Sequence, residues 1–255
     1  MISRQSQGFT LIELIMVIMV MAFITIGIGR FVSFGTEGYL QTRDREQLQS
    51  QARFAVERIT RELRDAVPNS LEVTDDENGH CLAFRPIQYS GDYVNSNLAN
   101  IDVISGFLTQ TTAPIFETNM MVVINPHKPQ DFDVISDQIA KVTAINKGIA
   151  ANQWQFELDG QHSFSSGSLS QRFYIYTQSV RFCLEDNSLT RTTIDNSGIE
   201  SQPVLLAQYL DAKMSAFTLD NVALVRSALV AWQFTFTRNG ESSRYNHTVQ
   251  VMNVP

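Results

Sequence analysis

Gly8-Phe9-Thr10-Leu11-Ile12-Glu13-Leu14 is the most informative stretch of this 255-residue chain. From Phe9 to Gly29 run 21 residues whose only charge is Glu13. At about 1.5 Å per residue, a helix of that length crosses a hydrocarbon core of roughly 30 Å. The stretch therefore reads as a membrane anchor, with a transmembrane helix over 9–30. A secretory signal would show a basic start, a shorter apolar core and a small-x-small cleavage site. Residues 1–8 are instead short and polar, with Arg4 as their only charge, and a cut after Gly8 leaves the apolar helix on the mature chain. Glu13 is the anomaly. A charged carboxylate at the centre of a membrane helix costs on the order of 2.5 to 3.5 kcal/mol, less near an interface, and asks for a partner.

After Arg30 the composition turns amphipathic. Residues 37–66 carry six acids and six bases, while Leu48, Ala52, Val56, Ile59, Leu63 and Ala66 recur at steps of three and four. That spacing places them on one helical face. No proline occurs before Pro68, so 31–67 reads as an amphipathic continuation of the same helix, ended by Pro68-Asn69-Ser70. Gly27, Gly29, Gly35 and Gly38 are expected to weaken it locally. The charged side reads as a solvated face with i,i+4 pairs such as Glu57 with Arg61.

Residues 68–255 read as a β-rich head. Leu71 to Thr74 and Cys81 to Phe84 flank an Asn78-Gly79 turn, and Trp232 to Thr237 and Tyr245 to Val251 flank Asn239-Gly240, both strong hairpin signals. Met120 to Ile124, Ile139 to Ile145, Trp154 to Leu158 and Phe173 to Leu184 are further predicted strands, with turns at Asp159-Gly160 and Ser165-Ser166-Gly167. Residues 203–231 fit helix or strand equally. The fold class is α+β, and no repeat or linker marks a second domain. About 185 residues suffice for one substantial core, in one sheet or two.

Charge and motif content narrow the function. From Val67 onward there are 19 acids and 11 bases, a formal balance of −8. Nucleic-acid binding needs a positive footprint, so that class of partner is disfavoured. His80, His127, His162 and His247 are scattered, with no metal-ligand spacing, no Cys-x-x-Cys, no Gly-x-Ser-x-Gly and no phosphate loop. His80 beside Cys81 is a weak sign of a thiol nucleophile, because neighbours in a strand point to opposite faces. The acidic runs Asp75-Asp76-Glu77 and Asp131, Asp133, Asp137 lack the twelve-residue calcium-loop pattern and read as solvated loops. No metal or cofactor is expected, and the chain does not read as an enzyme.

Gln7 to Leu14 resembles the class III signal of type IV prepilins and type II secretion pseudopilins at all eight positions. The resemblance implies a type IV pilin-like fold, a long N-terminal helix packed on a β-rich head. It implies that residues 1–8 are a leader cut by a prepilin peptidase between Gly8 and Phe9, with N-methylation of the new Phe9 amine. It gives Glu13, fifth in the mature chain, the role of neutralising the terminal amine of an adjacent subunit, which meets the need to pair charges in lipid. The implied setting is a single-pass bacterial inner-membrane protein with its head in the periplasm, incorporated in a pilus fibre when assembled. The implied partners are the peptidase, minor and major pilins, the inner-membrane assembly platform and membrane lipid.

In that oxidising setting Cys81 and Cys183 are expected to form one disulfide, with two buried thiols as the alternative. Arg53 to Arg64, Ala66 to Ser70, Cys81 to Phe84, Val180 to Leu184 and the terminal Val251 to Pro255 resemble minor pilin-like subunits of the mannose-sensitive haemagglutinin (MSHA) pilus. That resemblance implies a role in the priming or tip complex of the fibre. The missing proline near the membrane exit also favours a minor subunit or pseudopilin over a major pilin. A J-type minor pseudopilin of type II secretion shares the anchor, and a signal-anchored periplasmic enzyme or binding protein is the rival of another class. Glu13 argues against the secretion tip subunit that lacks this acid.

Overall fold

A computed structural model describes residues 8–76, 79–220 and 227–252. One α-helix, α1 (Leu11–Arg64), is followed by β1 (Glu72–Asp76), β2 (Gly79–Phe84), β3 (Tyr89–Tyr93), β4 (Ile101–Leu108), β5 (Met121–Ile124), β6 (Ile139–Lys147) and β7 (Gln153–His162). The chain continues through β8 (Arg172–Tyr176), β9 (Gln178–Glu185), β10 (Ser188–Asp195), β11 (Val204–Gln208), β12 (Ala216–Asp220), β13 (Ser227–Arg238) and β14 (Glu241–Met252). It divides within α1 into two compact units, one up to Gln47 and one from Leu48 onward.

In the first unit the helix runs unbroken through Gly27, Gly29, Gly35 and Gly38, so the expected local weakening leaves no interruption. The hydroxyls of Thr25, Thr36 and Thr42 donate to the carbonyls four residues back, at 2.7, 2.8 and 2.9 Å. Such back-bonding satisfies a hydroxyl within its own helix, as an apolar surrounding demands.

The second unit is built on the apolar stripe of α1. Leu48, Ala52, Ala55, Ile59 and Leu63 are fully buried and share one core with the sheet β1-β2-β9-β10-β11 and the sheet β12-β13-β14. Val56, predicted on this face, is only partly buried; Ala55 takes the central place. Both fit a stripe of finite width, and alanine there lets the sheets approach closely. The expected Glu57–Arg61 ion pair is absent among the described residues. Glu62 instead pairs with Arg58 and accepts Arg191 Nε on both carboxylate oxygens at 3.0 Å, tying α1 to β10.

Between β2 and β9 the chain leaves this layer to build a closed barrel, β3-β4-β7-β6-β5-β8, with every ladder antiparallel. Closure removes free edges. Ile104, Val122, Ile124, Phe156, Phe173 and Ile175 fill its interior with no solvent exposure. The barrel is tight where β3 crosses β4: a Cβ on Gly91 would collide with the Phe107 carbonyl, and one on Gly106 would stand 2.7 Å from the Phe173 ring. On the outside, Val123, Ile139, Tyr174 and Tyr176 pack with Val67 and Phe132. The Arg85 guanidinium lies over the Phe132 ring at 4.7 Å and near the Tyr176 ring at 5.8 Å.

Three predicted features differ. Phe173 to Leu184 is not one strand: the chain breaks at Thr177, giving β8 to the barrel and β9 to the sheet. Periodicity is blind to such a change of partner. Asp159-Gly160 is no turn but lies inside β7, where Gly160 has φ +82° and the ladder to β4 loses register between Ile101 and Val103. A glycine with positive φ serves a bulge as well as a turn. Residues 203–231 resolve into β11, a 3₁₀ turn (Ala212–Met214), β12 and the start of β13, while 221–226 lie outside the described residues. The Asn239-Gly240 hairpin matches its prediction, with φ +48° and +84°. Of the other turn, Asn78 lies outside the described residues, and β1 and β2 pair up to Asp76 opposite Gly79.

Burial pushes the Tyr176 phenol up to about 12, against a smaller opposing effect of Arg85. Because the folded value exceeds the unfolded one, this stabilising contribution is complete below pH 10 and is lost as pH rises through about 12. At ~1.4 kcal/mol per pKa unit, ionisation of Tyr176 removes roughly 2 to 3 kcal/mol across that window. Denaturant unfolding of the detergent-solubilised chain from pH 9 upward is expected to show this decline, shallower in Tyr176→Phe. Identical slopes would assign it to other groups.

Candidate functional site

The candidate site is the start of α1. Gly8, Phe9 and Thr10 precede the helix and are exposed, so the Gly8–Phe9 bond lies in non-helical chain. A protease needs its substrate backbone outside a helix, and this bond satisfies that. A Cβ built on Gly8 meets nothing within 4 Å. A larger residue is therefore compatible with the fold, and a need for glycine here has to come from an enzyme that reads it.

Leu11 is the first helical residue, which makes Thr10 the N-cap and Glu13 the third residue of the first turn. The Glu13 N–H donates to the Thr10 carbonyl at 3.1 Å and lies 3.4 Å from Thr10 Oγ1. Thr-x-x-Glu is the spacing of a capping box, and an acid in the first turn also faces the positive end of the helix dipole. Of that box only the half that uses the Glu13 N–H is formed, a local contact legible from Thr10 and Glu13 standing three apart in the sequence. The carboxylate is exposed, leaving it available to a charge outside the chain.

The other candidates do not assemble into a site. Cys81 and Cys183 are directly opposed on β2 and β9 with Cα atoms 4.1 Å apart, and their sulfurs are bonded. With Cys81 so engaged, the pair His80–Cys81 offers no thiolate. His80 Nε2 lies 2.8 Å from the Phe217 carbonyl, and its ring stacks on Phe217. His127 meets Asn125, His162 meets the Asp137 carbonyl and His247 packs on Trp232, so the four rings serve four separate places. Asp131 Oδ2 accepts from the His127 and Lys128 N–H groups at 2.7 and 3.2 Å, capping the 3₁₀ turn Pro129–Phe132. Its oxygen is used by the backbone rather than offered to an ion. Glu77 lies outside the described residues. Among the described residues no three His, Cys, Asp or Glu side chains gather as a metal group.

A family profile described as a prokaryotic N-terminal methylation motif matches residues 3–29, the segment holding Gly8, Phe9 and Glu13. No curated protein and no solved structure matches the chain. The motif supports a type IV pilin-like or pseudopilin protein, and implies processing by a prepilin peptidase and assembly with other pilins. The long apolar helix with this motif fits a membrane-anchored, single-pass protein. Pilin-like proteins are typically structural rather than catalytic.

Two outcomes are expected. Gly8→Leu should leave the full-length precursor in the membrane, while the wild-type chain yields a mature N-terminus of N-methyl-Phe9 by mass spectrometry; a mature chain starting elsewhere would remove the basis for the site. The chain isolated under oxidising conditions should resist alkylation until reduced, and Cys81→Ser should lower its melting temperature. Closing a loop of 102 residues stabilises by about 4 to 5 kcal/mol in the chain-entropy account, as an upper figure. Full alkylation of the unreduced native chain would contradict the bond.

Proposed function

We propose that this chain is a minor pilin-like subunit that takes part in priming or capping a type IV pilus of the MSHA type, in the manner of that system's subunit O. The observation that carries the reading is the prepilin motif around Gly8, Phe9 and Glu13 at the start of a 54-residue helix. The body segments quoted above support the MSHA assignment by resemblance. In this reading the peptidase removes residues 1–8 and methylates the Phe9 amine, and the periplasmic head carries the Cys81–Cys183 disulfide.

Glu13 acts during incorporation. Cleavage creates a positive amine at Phe9, near the positive end of the helix dipole, where a cation is disfavoured. In lipid that charge needs a counter-ion, and the Glu13 carboxylate of a neighbouring subunit supplies it. The capping geometry is compatible with this role, because the backbone N–H of Glu13 is used locally and its carboxylate is not.

Glu13→Ala is expected to be processed, inserted and folded like wild type, yet to fail to restore pili to a deletion strain, with crosslinking to other pilins strongly reduced. Wild-type piliation would show that the acid has no assembly role. Loss of protein secretion with intact surface pili on deletion would instead assign the chain to a J-type pseudopilin. An activity or ligand affinity in a chain that needs no processing at Gly8 would indicate an anchored enzyme or binding protein.

A further inference from the structure

The chain between β2 and β9, residues 86–177, is set apart from the rest of the head in three ways. All six barrel strands belong to it and pair only with one another, so no ladder is shared with either sheet among the described residues. Its core is its own: every buried member of the cluster around Ile104, Phe156 and Phe173 lies within 89–175, while every buried member of the cluster on α1 lies outside 86–177. Both connections also leave from one mouth of the barrel. With every ladder antiparallel, the start of β3 and the end of β8 fall at the same end, and the loops 94–100, 125–138 and 163–171 open from the other.

The seam between the two cores is thin. Of the buried residues in the cluster that bridges them, Val123, Phe132, Ile139, Tyr174 and Tyr176 belong to the insert and only Val67 does not. Polar links cross it singly. The Ile87 N–H donates to the Asp65 carbonyl, Asn69 Nδ2 to the Pro126 carbonyl and Asn196 Nδ2 to the Asn119 carbonyl, each at 2.7 Å, and Arg85 lies over Phe132. Such bonds exchange for bonds to water at small net cost, while the apolar interiors on either side stay closed. At the base of the insert β2 and β9 pair over five positions, from His80 opposite Leu184 to Phe84 opposite Val180, and the Cys81–Cys183 bond lies within that ladder.

We propose that the barrel opens and closes as a separate module, and that the Cys81–Cys183 bond is the clip that lets it do so without unravelling the core on α1. An open barrel is a long flexible loop whose ends are held by the β2–β9 pair. Without the bond, parting β2 from β9 releases that loop and recovers its closure entropy, which favours loss of the core as well. A bond closing 102 residues withholds that gain, a factor on the order of 10³ in the equilibrium between the barrel-open chain and the wholly unfolded one. The opening of the barrel itself is little affected, because the paired strands hold the loop ends together with or without the bond. The clip therefore separates the two events rather than hardening both. Heat, denaturant or a partner that pulls on the far loops opens the barrel and leaves the core on α1 standing. The module needs no filament to open, so it stands whether or not the chain is a filament subunit.

Phe156→Asp, joined by Phe173→Asp where one charge leaves the ring closed, forces the barrel open in the full-length, detergent-solubilised chain, since both side chains are fully buried and their rings pack at 5.4 Å. Hydrogen exchange read by mass spectrometry is expected to find 89–108 and 153–176 unprotected in this variant with its disulfide intact, while β2, β9 and β13 keep strong protection. Cys81→Ala and Cys183→Ala, added together, should then lower the protection of β2, β9 and β13 by at least about 10²-fold. In the wild-type oxidised chain the barrel strands should exchange as one group, at least about tenfold faster than β13. Loss of protection in β13 as soon as the barrel is forced open in the oxidised chain would overturn the module. Equal protection of the core in the open-barrel chain with and without the cysteines would overturn the clip. A single common rate for barrel and core strands in the wild-type chain would overturn both.

Discussion

One stripe of side chains organises the head. Leu48, Ala52, Ala55, Ile59 and Leu63 reach zero exposure because two separate sheets close on the same side of α1. The two sheets meet through a short backbone bridge, Leu210 opposite Phe236, with the Asp211 N–H donating to the Thr235 carbonyl at 2.8 Å and the Thr237 N–H to the Tyr209 carbonyl at 2.7 Å, and both turn an apolar face to the helix. Burial of aliphatic side chains, about 1.5 to 3 kcal/mol each for the larger ones, is what the helix contributes to both. The Arg191–Glu62 pair adds orientation at the rim of that contact; with side chains only 19% and 15% exposed, its attraction is offset by the cost of desolvating both charges.

The barrel is a consequence of where the sheet can be interrupted. An insertion needs entry and exit points side by side, and β2 and β9 are hydrogen-bonded neighbours. Cys81 and Cys183 sit on those two strands, so the bond closes the insertion at its base and holds its ends together even when the barrel opens. Arg85, immediately after β2, lays its guanidinium on Phe132 and Tyr176 of the inserted segment. Covalent closure, an aromatic-cation stack and the small cluster around Val67 together join the second core to the first.

The polar and thiol groups of the head with potential for chemistry are engaged within the fold itself. Asp131 caps a turn, His80 meets a carbonyl and the cysteines are spent on each other. What the molecule leaves unused is of another kind: an exposed carboxylate at the start of an apolar helix, within the segment that matches the pilin-like methylation motif.

The anchor, the processing motif, the amphipathic half of α1 and the two Asn-Gly hairpin signals were legible in the sequence because each depends on residues close in the chain. Helical period, turn chemistry and an uncut apolar run are local properties. The pairing of Cys81 with Cys183 was legible only as an expectation, since nothing local brings positions 102 apart together. The barrel was not legible at all. Short strands such as Tyr89–Tyr93, holding Gly91, carry no strong alternation, and Phe173 to Leu184 reads as one strand although its halves serve different sheets. Whether a strand is central, an edge or part of a closed ring depends on which distant strand supplies its hydrogen bonds. That choice is made by tertiary packing, so the closed barrel and the separate partners of β8 and β9 were decided only there.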